Sequence, residues 1–314
     1  MVAGFRSYLV ATLHKIKALR MDENVFFGLL SKKTNKSTSM VNSINFFKPN
    51  ASLLRLLVLG FVFIFGMSDV AWGQTTNQST ITISTSVTSG GSWSALSGGN
   101  YTFTPSASTV NIQASDIVTK LTSSPGNVII NTAYTGGTGN GSVSFNTTLT
   151  ATNQNTTTYT LTVNASGNIT VSNAVDFTAS GANGATTTCP GLGISLNSSS
   201  GSVLVSAAIT TSGNVRGKTN GGDAGNISIS GSNGVSISAN LTANGAAASG
   251  SGNSNFNGGN GGNISISDGS STITTGAGSG ANDGQISGVI SANGGAGYGT
   301  GTAGVGGTIT KSGT

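Results

Sequence analysis

Any catalysis by this 314-residue chain would depend on few ionisable residues. After Gln74 there is no histidine and no glutamate, so proton transfer would fall on aspartates. There are five of them: Asp116, Asp176, Asp223, Asp268 and Asp283. The last three lie in Gly-rich contexts where aspartate is a common turn former, and the first two belong to a helical turn and to the outward side of a strand. None shows the paired spacing of glycosidase carboxylates. We therefore expect no catalytic residue and no enzyme activity.

The sequence gives equally little indication of a binding site for a sugar, a metal ion or a phosphate. Arg216 and Lys218 in one loop suit an acidic sugar, but two loop cations are more often simply solvated. Cys189 is the single cysteine, so no internal disulfide forms, and we interpret it as a bystander thiol. The sequence GGDAGNISI lacks the aspartate and the period of calcium-binding nonapeptides, and no phosphate-loop Gly-Lys-Ser/Thr follows the glycines. We predict no metal and no cofactor, and interpret the glycines as tight turns at closely stacked corners.

The basic charge is confined to the N-terminal segment. Nine of the 13 Lys and Arg precede Gln74, and the remainder carries four cations against five aspartates, a net charge of −1. We therefore predict no nucleic-acid partner. Lys48 and Arg55 precede a 12-residue apolar run, 56–67, which is too short to span a membrane and is followed by Ala71-Trp72-Gly73. This pattern predicts a signal peptide over 46–73, cleaved near Gly73, and an exported chain without a stable membrane span. Residues 1–45 are read as a leader extension or a misassigned start, with Met40 the more ordinary start.

Short runs of alternating apolar and small polar residues recur at a fixed period. Their first apolar residues are Val128, Leu161, Ile194, Ile227, Ile264 and Ile309, at spacings of 33, 33, 33, 37 and 45. Each period holds three such runs and a longer polar, usually Gly-rich, loop. Three half-buried strands can bury their apolar faces only if successive periods stack. The pattern predicts an all-β fold, a right-handed parallel β-solenoid with three short strands per coil of about 33 residues.

The predicted coils occupy 128–275, with Gly-rich irregular coils over 276–314. Asn131, Asn164 and Asn197 close the first strand of three coils and should form a hydrogen-bonded ladder. Residues 74–127 are predicted to be an N-terminal cap that contains the bulky Trp93, Tyr101 and Phe103. A short helix is expected there over 115–121, with Ser115 as its N-cap.

Part of the chain resembles a known family. NIQASDIVTKLTSSPGNVIINT, then GSVSFNTTLTAT and LTVNASGNITVSNAVDFTASG, are similar to filamentous-haemagglutinin-type surface proteins over roughly 110–245. The resemblance implies a secreted or cell-surface adhesin of a Gram-negative bacterium, with an extracellular, host or biofilm ligand such as a glycan.

Two alternatives to an adhesive scaffold stay open. One is a carbohydrate-active or carbohydrate-binding β-helix. The other, less favoured because the outward residues of the strands are mixed, is an ice-binding protein. The last residues, AGVGGTITKSGT, are expected to begin another coil at Ile309 and to leave an open end through which the protein self-associates or meets a capping chain. The competing interpretation ends the core near Ile273.

Overall fold

The computed structural model describes residues 77–179, 188–215, 217–270, 274–275 and 285–313, all within one compact unit, Gly73–Thr314. Within these ranges the fold is all-β, with 21 short strands and a single helix, α1 (Ala114–Thr122). The described residues contain no helix long and apolar enough to cross a membrane.

The strands form three sheets whose neighbours are almost all parallel. The first sheet contains β1 (Thr80–Ser84), β4 (Thr109–Gln113), β6 (Val143–Phe145), β9 (Ile169–Val171), β12 (Val203–Val205), β15 (Val235–Ile237), β18 (Thr274–Thr275) and β19 (Gln285–Ile286). The second contains β7 (Leu149–Thr150), β10 (Val175–Asp176), β13 (Ile209–Thr210), β16 (Leu241–Thr242) and β20 (Ile290–Ser291). The third contains β2 (Gly91–Trp93), β3 (Asn100–Pro105), β5 (Asn127–Asn131), β8 (Thr160–Ala165), β11 (Gly193–Ser198), β14 (Ile227–Gly231), β17 (Ile264–Asp268) and β21 (Ile309–Gly313).

The repeat in the sequence sets the register of the third sheet. Ile194 pairs with Leu161 on one side and with Ile227 on the other, and Ile227 pairs with Ile264. All four side chains are buried, as the alternation predicts. From β5 onward, successive repeats contribute successive strands to each sheet, so the predicted all-β, parallel fold is confirmed.

The core consists of apolar side chains from alternate strand positions. Phe103, Phe145 and Phe177 are its largest members, and each is fully buried. A buried side chain of this size stabilises the folded state by roughly 1.5–3 kcal/mol relative to its exposed state. Because the outward positions are mainly Ser, Thr and Asn, most strands have one apolar and one polar face, although Leu204 of β12 is apolar and 41% exposed.

The N-terminal region continues the sheets. β3 pairs in parallel with β5, and β1 lies between β4 and β6 in the first sheet. Of the bulky residues predicted to form a cap, Phe103 is fully buried, while Trp93 packs its ring edge-on against Phe103 at 5.1 Å and Tyr101 is half-buried.

The helix starts one residue earlier than predicted. Gln113, not Ser115, is at the N-cap position, and it makes no side-chain capping bond. The prediction for Ser115 is wrong because β4 leads directly into α1 and fixes its first residue, Ala114, which puts Ser115 inside the first turn. Ile117 and Leu121 are buried, as expected for the apolar side of this helix.

The Gly-rich C-terminal part contains three paired strands within residues 285–313. Ile290 pairs with Leu241, and its neighbour Val289 is 65% exposed. Ile309 pairs with Ile264 as predicted, although its side chain is 42% exposed. Ile273 lies outside the described residues.

Candidate binding face

Two Gly-rich stretches and a third segment repeat their backbone hydrogen bonds every three residues. The first stretch is 220–226. The N–H of Gly221 donates to the carbonyl of Asn257, that of Ala224 to Asn260, and that of the following Ile227 to Asn263, at 2.8–2.9 Å. The N–H groups of Gly258, Gly261 and Ile264 donate in turn to Thr302, Val305 and Thr308 at 2.8–2.9 Å. A repeat of three residues per turn is the period of the polyproline II helix. We call residues 220–226, 257–263 and 302–308 the three rows.

A second layer of backbone lies beneath the rows. Gly259 donates its N–H to the carbonyl of Ala246 at 2.8 Å, and its own carbonyl accepts from Gly295 at 2.8 Å. Gly225 and Thr211 make the corresponding contact at 2.7 Å. The rows are therefore hydrogen-bonded both sideways and downward, which makes the assembly rigid.

The glycines of the rows permit this close packing. A Cβ at Gly259 would lie 2.0 Å from the carbonyl oxygen of Gly222, and one at Gly262 would lie 2.1 Å from that of Gly225. Neither glycine has a left-handed φ. The prediction that these glycines form tight turns is therefore wrong, and the reason for glycine here is the approach of neighbouring backbones.

Every third residue of the rows is exposed and lies in register with its neighbours. These nine residues form what we call the asparagine face: Asn220, Asp223, Asn226, Asn257, Asn260, Asn263, Thr302, Val305 and Thr308. They are arranged as three columns of three. The spacing is about 9 Å along a row, from a rise of ~3.1 Å per residue, and about 4.8 Å between rows.

The side chains of this face are held in place by the backbone of the next row. In the first pair of rows, the Oδ1 atoms of Asn220, Asp223 and Asn226 accept from the backbone N–H groups of the residues beside them in the same columns, at 2.7, 2.6 and 2.8 Å. In the second pair, the Oδ1 atoms of Asn257, Asn260 and Asn263 accept in the same way, each at 2.9 Å. Each of these six side chains therefore has one oriented oxygen.

The polar surface continues onto the third sheet. Outward hydroxyl residues follow the rows in β14, β17 and β21, namely Ser228, Ser265 and Thr310. In earlier strands of the same sheet, Asn164 Nδ2 donates to Asn131 Oδ1 at 2.9 Å, and Asn197 Nδ2 donates to Asn164 Oδ1 at 3.0 Å. The predicted asparagine ladder is confirmed.

Two aromatic residues pack against the layer beneath the rows, at one end. Phe256 immediately precedes Asn257, and it exchanges backbone hydrogen bonds with Tyr298 at 3.2 and 2.8 Å. Both side chains are half-exposed. A Cβ on Gly250 would lie 2.5 Å from the Tyr298 ring and 3.0 Å from the Phe256 ring, so both rings lie against this glycine.

The aspartates singled out in the sequence are dispersed among structural roles. Asp116 accepts a hydrogen bond from the Thr88 hydroxyl, and Asp176 accepts from the backbone N–H of Thr178 at 3.1 Å. Asp223 belongs to the asparagine face. Asp283 lies outside the described residues.

Asp268 ends β17 and begins the turn predicted there. Its Oδ1 accepts from the backbone N–H of Ser270 at 2.8 Å, the contact by which an aspartate stabilises a turn two residues ahead. The residue is also 1% exposed and pairs with Gly231. Its Oδ2 accepts from the backbone N–H of Val235 at 2.8 Å, so the carboxylate bridges to the neighbouring repeat as well. The sequence did not predict this second contact, because Val235 lies 33 residues away.

Three candidates from the sequence remain, Arg216, Lys218 and Cys189. Lys218 is exposed and Cys189 is fully buried, while Arg216 lies outside the described residues. In the described part of the chain, no three His, Cys, Asp or Glu residues are close enough to hold a metal ion. Asn or Asp recurs at every third residue in NGGDAGN and NGGNGGN, and this period was the sequence signal for the asparagine face. The signal was missed because the glycines were interpreted as turns.

The chain matches no protein-family model, and its comparison with curated proteins and with solved structures finds no match.

Proposed function

We propose that this protein is a secreted, non-enzymatic structural and adhesive protein of the bacterial cell surface, similar in kind to filamentous-haemagglutinin-type proteins. The observation that carries the proposal is the asparagine face, a rigid array of exposed polar side chains with a regular repeat. Such a surface suits attachment to an extended ligand better than it suits chemistry at one point, because catalysis needs a few convergent groups in a concave site.

The architecture we propose is a right-handed parallel β-solenoid with three strands per coil. It is supported by one strand from each repeat in each of the three sheets and by the in-register pairing of Leu161, Ile194 and Ile227. In this arrangement each coil adds one line of outward side chains, so the binding area grows with the number of coils.

The roles of the described aspartates favour a non-enzymatic protein. Asp268 is buried against backbone N–H groups, and Asp223 orients the next row through Asn260. Each carboxylate therefore binds main-chain N–H groups of a neighbouring segment, which is a structural role.

Export and surface display are part of the proposal. The basic flank, the 12-residue apolar run and the Ala71-Trp72-Gly73 site support cleavage before Gln74 in a Gram-negative host. A display role also agrees with the composition, in which only 7% of residues are charged.

The test is to express the full chain in a Gram-negative host and follow its processing and its location. We expect an N-terminus at or near Gln74, labelling of intact cells by an antibody to the chain, and increased adherence of those cells to glycan-coated surfaces. A deletion of residues 46–73 is the control and should abolish labelling. Retention of residues 1–73 in a cytoplasmic protein, or cleavage of polysaccharide chains by the purified protein, would refute the proposal.

A further inference from the structure

We propose that the asparagine face binds a neutral polysaccharide chain. This inference rests on the proposed adhesive function and specifies the chemical class of its ligand. Its starting point is the orientation of the side chains by the rows themselves.

The rows orient the amides so that their donors remain available. Asn257, Asn260 and Asn263 each use Oδ1 to accept a backbone N–H of the next row. Their Nδ2 groups make no hydrogen bond to another residue of the described ranges, and the side chains are exposed. Each amide nitrogen carries two N–H donors, so the central row offers a line of donors at a repeat of about 9 Å, three residues at ~3.1 Å each.

Hydroxyl and ether oxygens are the natural acceptors for such a line. The Thr302 and Thr308 hydroxyls on the third row add groups that both donate and accept. A sugar chain presents its oxygens at regular intervals, and it can lie along a row or along a column. Because the amides are already fixed, binding would lose little side-chain entropy.

The charge of the face favours a neutral ligand. Asp223 is the single ionisable residue among the nine, and the chain after Gln74 has a net charge of −1. An anionic polysaccharide would meet this carboxylate with no cation among the nine residues to balance it. Amides bind uncharged hydroxyls without the desolvation cost that a charged group would add.

The test replaces asparagine by aspartate, a residue that already occurs at one position of the face. Asp223 occupies one of the nine positions and accepts from the next row through Oδ1 just as the asparagines do. The double variant N257D/N263D therefore keeps the two Oδ1 acceptors and removes the two amide donors. The matched control N146D/N168D adds the same two charges at exposed positions away from the face, and Asn168 Oδ1 likewise accepts a backbone N–H, from Ser202.

Binding is measured by affinity electrophoresis of the purified protein in native gels containing laminarin, galactomannan or dextran, with alginate as the acidic probe. We expect at least one neutral polysaccharide to retard the wild-type protein, and the control to bind equally. N257D/N263D should bind at least ~10-fold more weakly, the loss of about 1.4 kcal/mol expected for a weakened pair of hydrogen bonds. Asn260→Asp makes one replacement of the same kind and should weaken binding as well, which keeps the test valid if the double variant is unstable.

The inference is overturned if no neutral polysaccharide retards the protein, if alginate binds more tightly, or if N257D/N263D and the control bind alike. It is also overturned if the protein shows a freezing hysteresis that N257D/N263D removes, since the face would then bind ice. Adherence of cells that survives N257D/N263D leaves the proposed adhesive function in place and rejects only this ligand. Loss of both surface display and adherence in the wild type rejects the proposed function itself.

Discussion

Replacement of Gly259 by alanine tests the packing of the rows directly. In the structure the added Cβ would lie 2.0 Å from the Gly222 carbonyl oxygen and 2.4 Å from its carbonyl carbon. Both are backbone atoms, so no side-chain rotation relieves the clash and the rows must separate. The separation weakens the hydrogen bond from Gly259 N–H to Ala246 and the bond that Gly295 donates to Gly259, each 2.8 Å long.

The expected cost follows from these two effects. Overpacking costs about 1–3 kcal/mol, and two weakened backbone bonds add about 1 kcal/mol each. These two effects add up to a loss of about 3–5 kcal/mol of unfolding free energy, or a decrease in Tm of roughly 6–20 °C for a domain of this size. Glycine to alanine at an unstrained position acts in the opposite direction, by about 0.4–1 kcal/mol.

The control is the neighbouring row's Gly306, where a Cβ would meet only the Ala292 carbonyl oxygen at 3.3 Å. Thermal unfolding by circular dichroism gives the two stabilities, and hydrogen exchange shows whether protection is lost within 257–263 first. If Gly259→Ala is as stable as Gly306→Ala, the close approach of the rows is refuted.

Three further changes test the core, the buried carboxylate and the ladder. Ile194→Asp places an unpaired charge between two buried strands and should unfold the protein, whereas Ile194→Val should cost about 0.5–1.5 kcal/mol; both are measured by urea denaturation, and a folded Ile194→Asp protein would contradict the register. Asp268→Ala leaves the N–H of Val235 without its acceptor and should cost about 1.5–3 kcal/mol, more than Asp268→Asn, which keeps one oxygen; equal stabilities would argue against the bridge. Asn164→Ala removes two ladder bonds and should cost about 1 kcal/mol in the same assay, against no more than ~0.5 kcal/mol for the exposed Asn146→Ala; equal losses would show that the ladder adds nothing.

The strands of the repeats were predictable because alternation and period are both local signals. The spacing of 33 between Leu161, Ile194 and Ile227 identified stacked partners without any knowledge of the fold. The ladder followed from the same spacing, since residues one repeat apart must be neighbours if the strands pair in register.

The asparagine face was harder to predict from the sequence, because Asn-Gly pairs occur both in turns and in extended rows. Asn-Gly is the commonest hairpin-turn pair, so Asn257-Gly258 and Asn260-Gly261 were interpreted as turns. What decides between a turn and an extended row is the backbone beside it, here the carbonyls of Thr302 and Val305, which are 45 residues away in sequence. The contact of Asp268 with Val235 was not predicted for the same reason, because Val235 belongs to another repeat.

The hydrogen bonds that hold the asparagine side chains should also slow their deamidation. Asn-Gly pairs are ordinarily the fastest to deamidate, because the backbone nitrogen of the glycine attacks the side-chain amide carbon and forms a succinimide. Here the N–H of Gly258 is bound to Thr302, and Asn257 Oδ1 is held by the same row. The attacking nitrogen and the amide carbon therefore cannot approach each other without breaking the row, and mass spectrometry of aged samples should find these asparagines intact in the folded protein and converted in the unfolded one. A protein displayed outside the cell, where it is not readily replaced, would thereby keep its amides for as long as it stays folded.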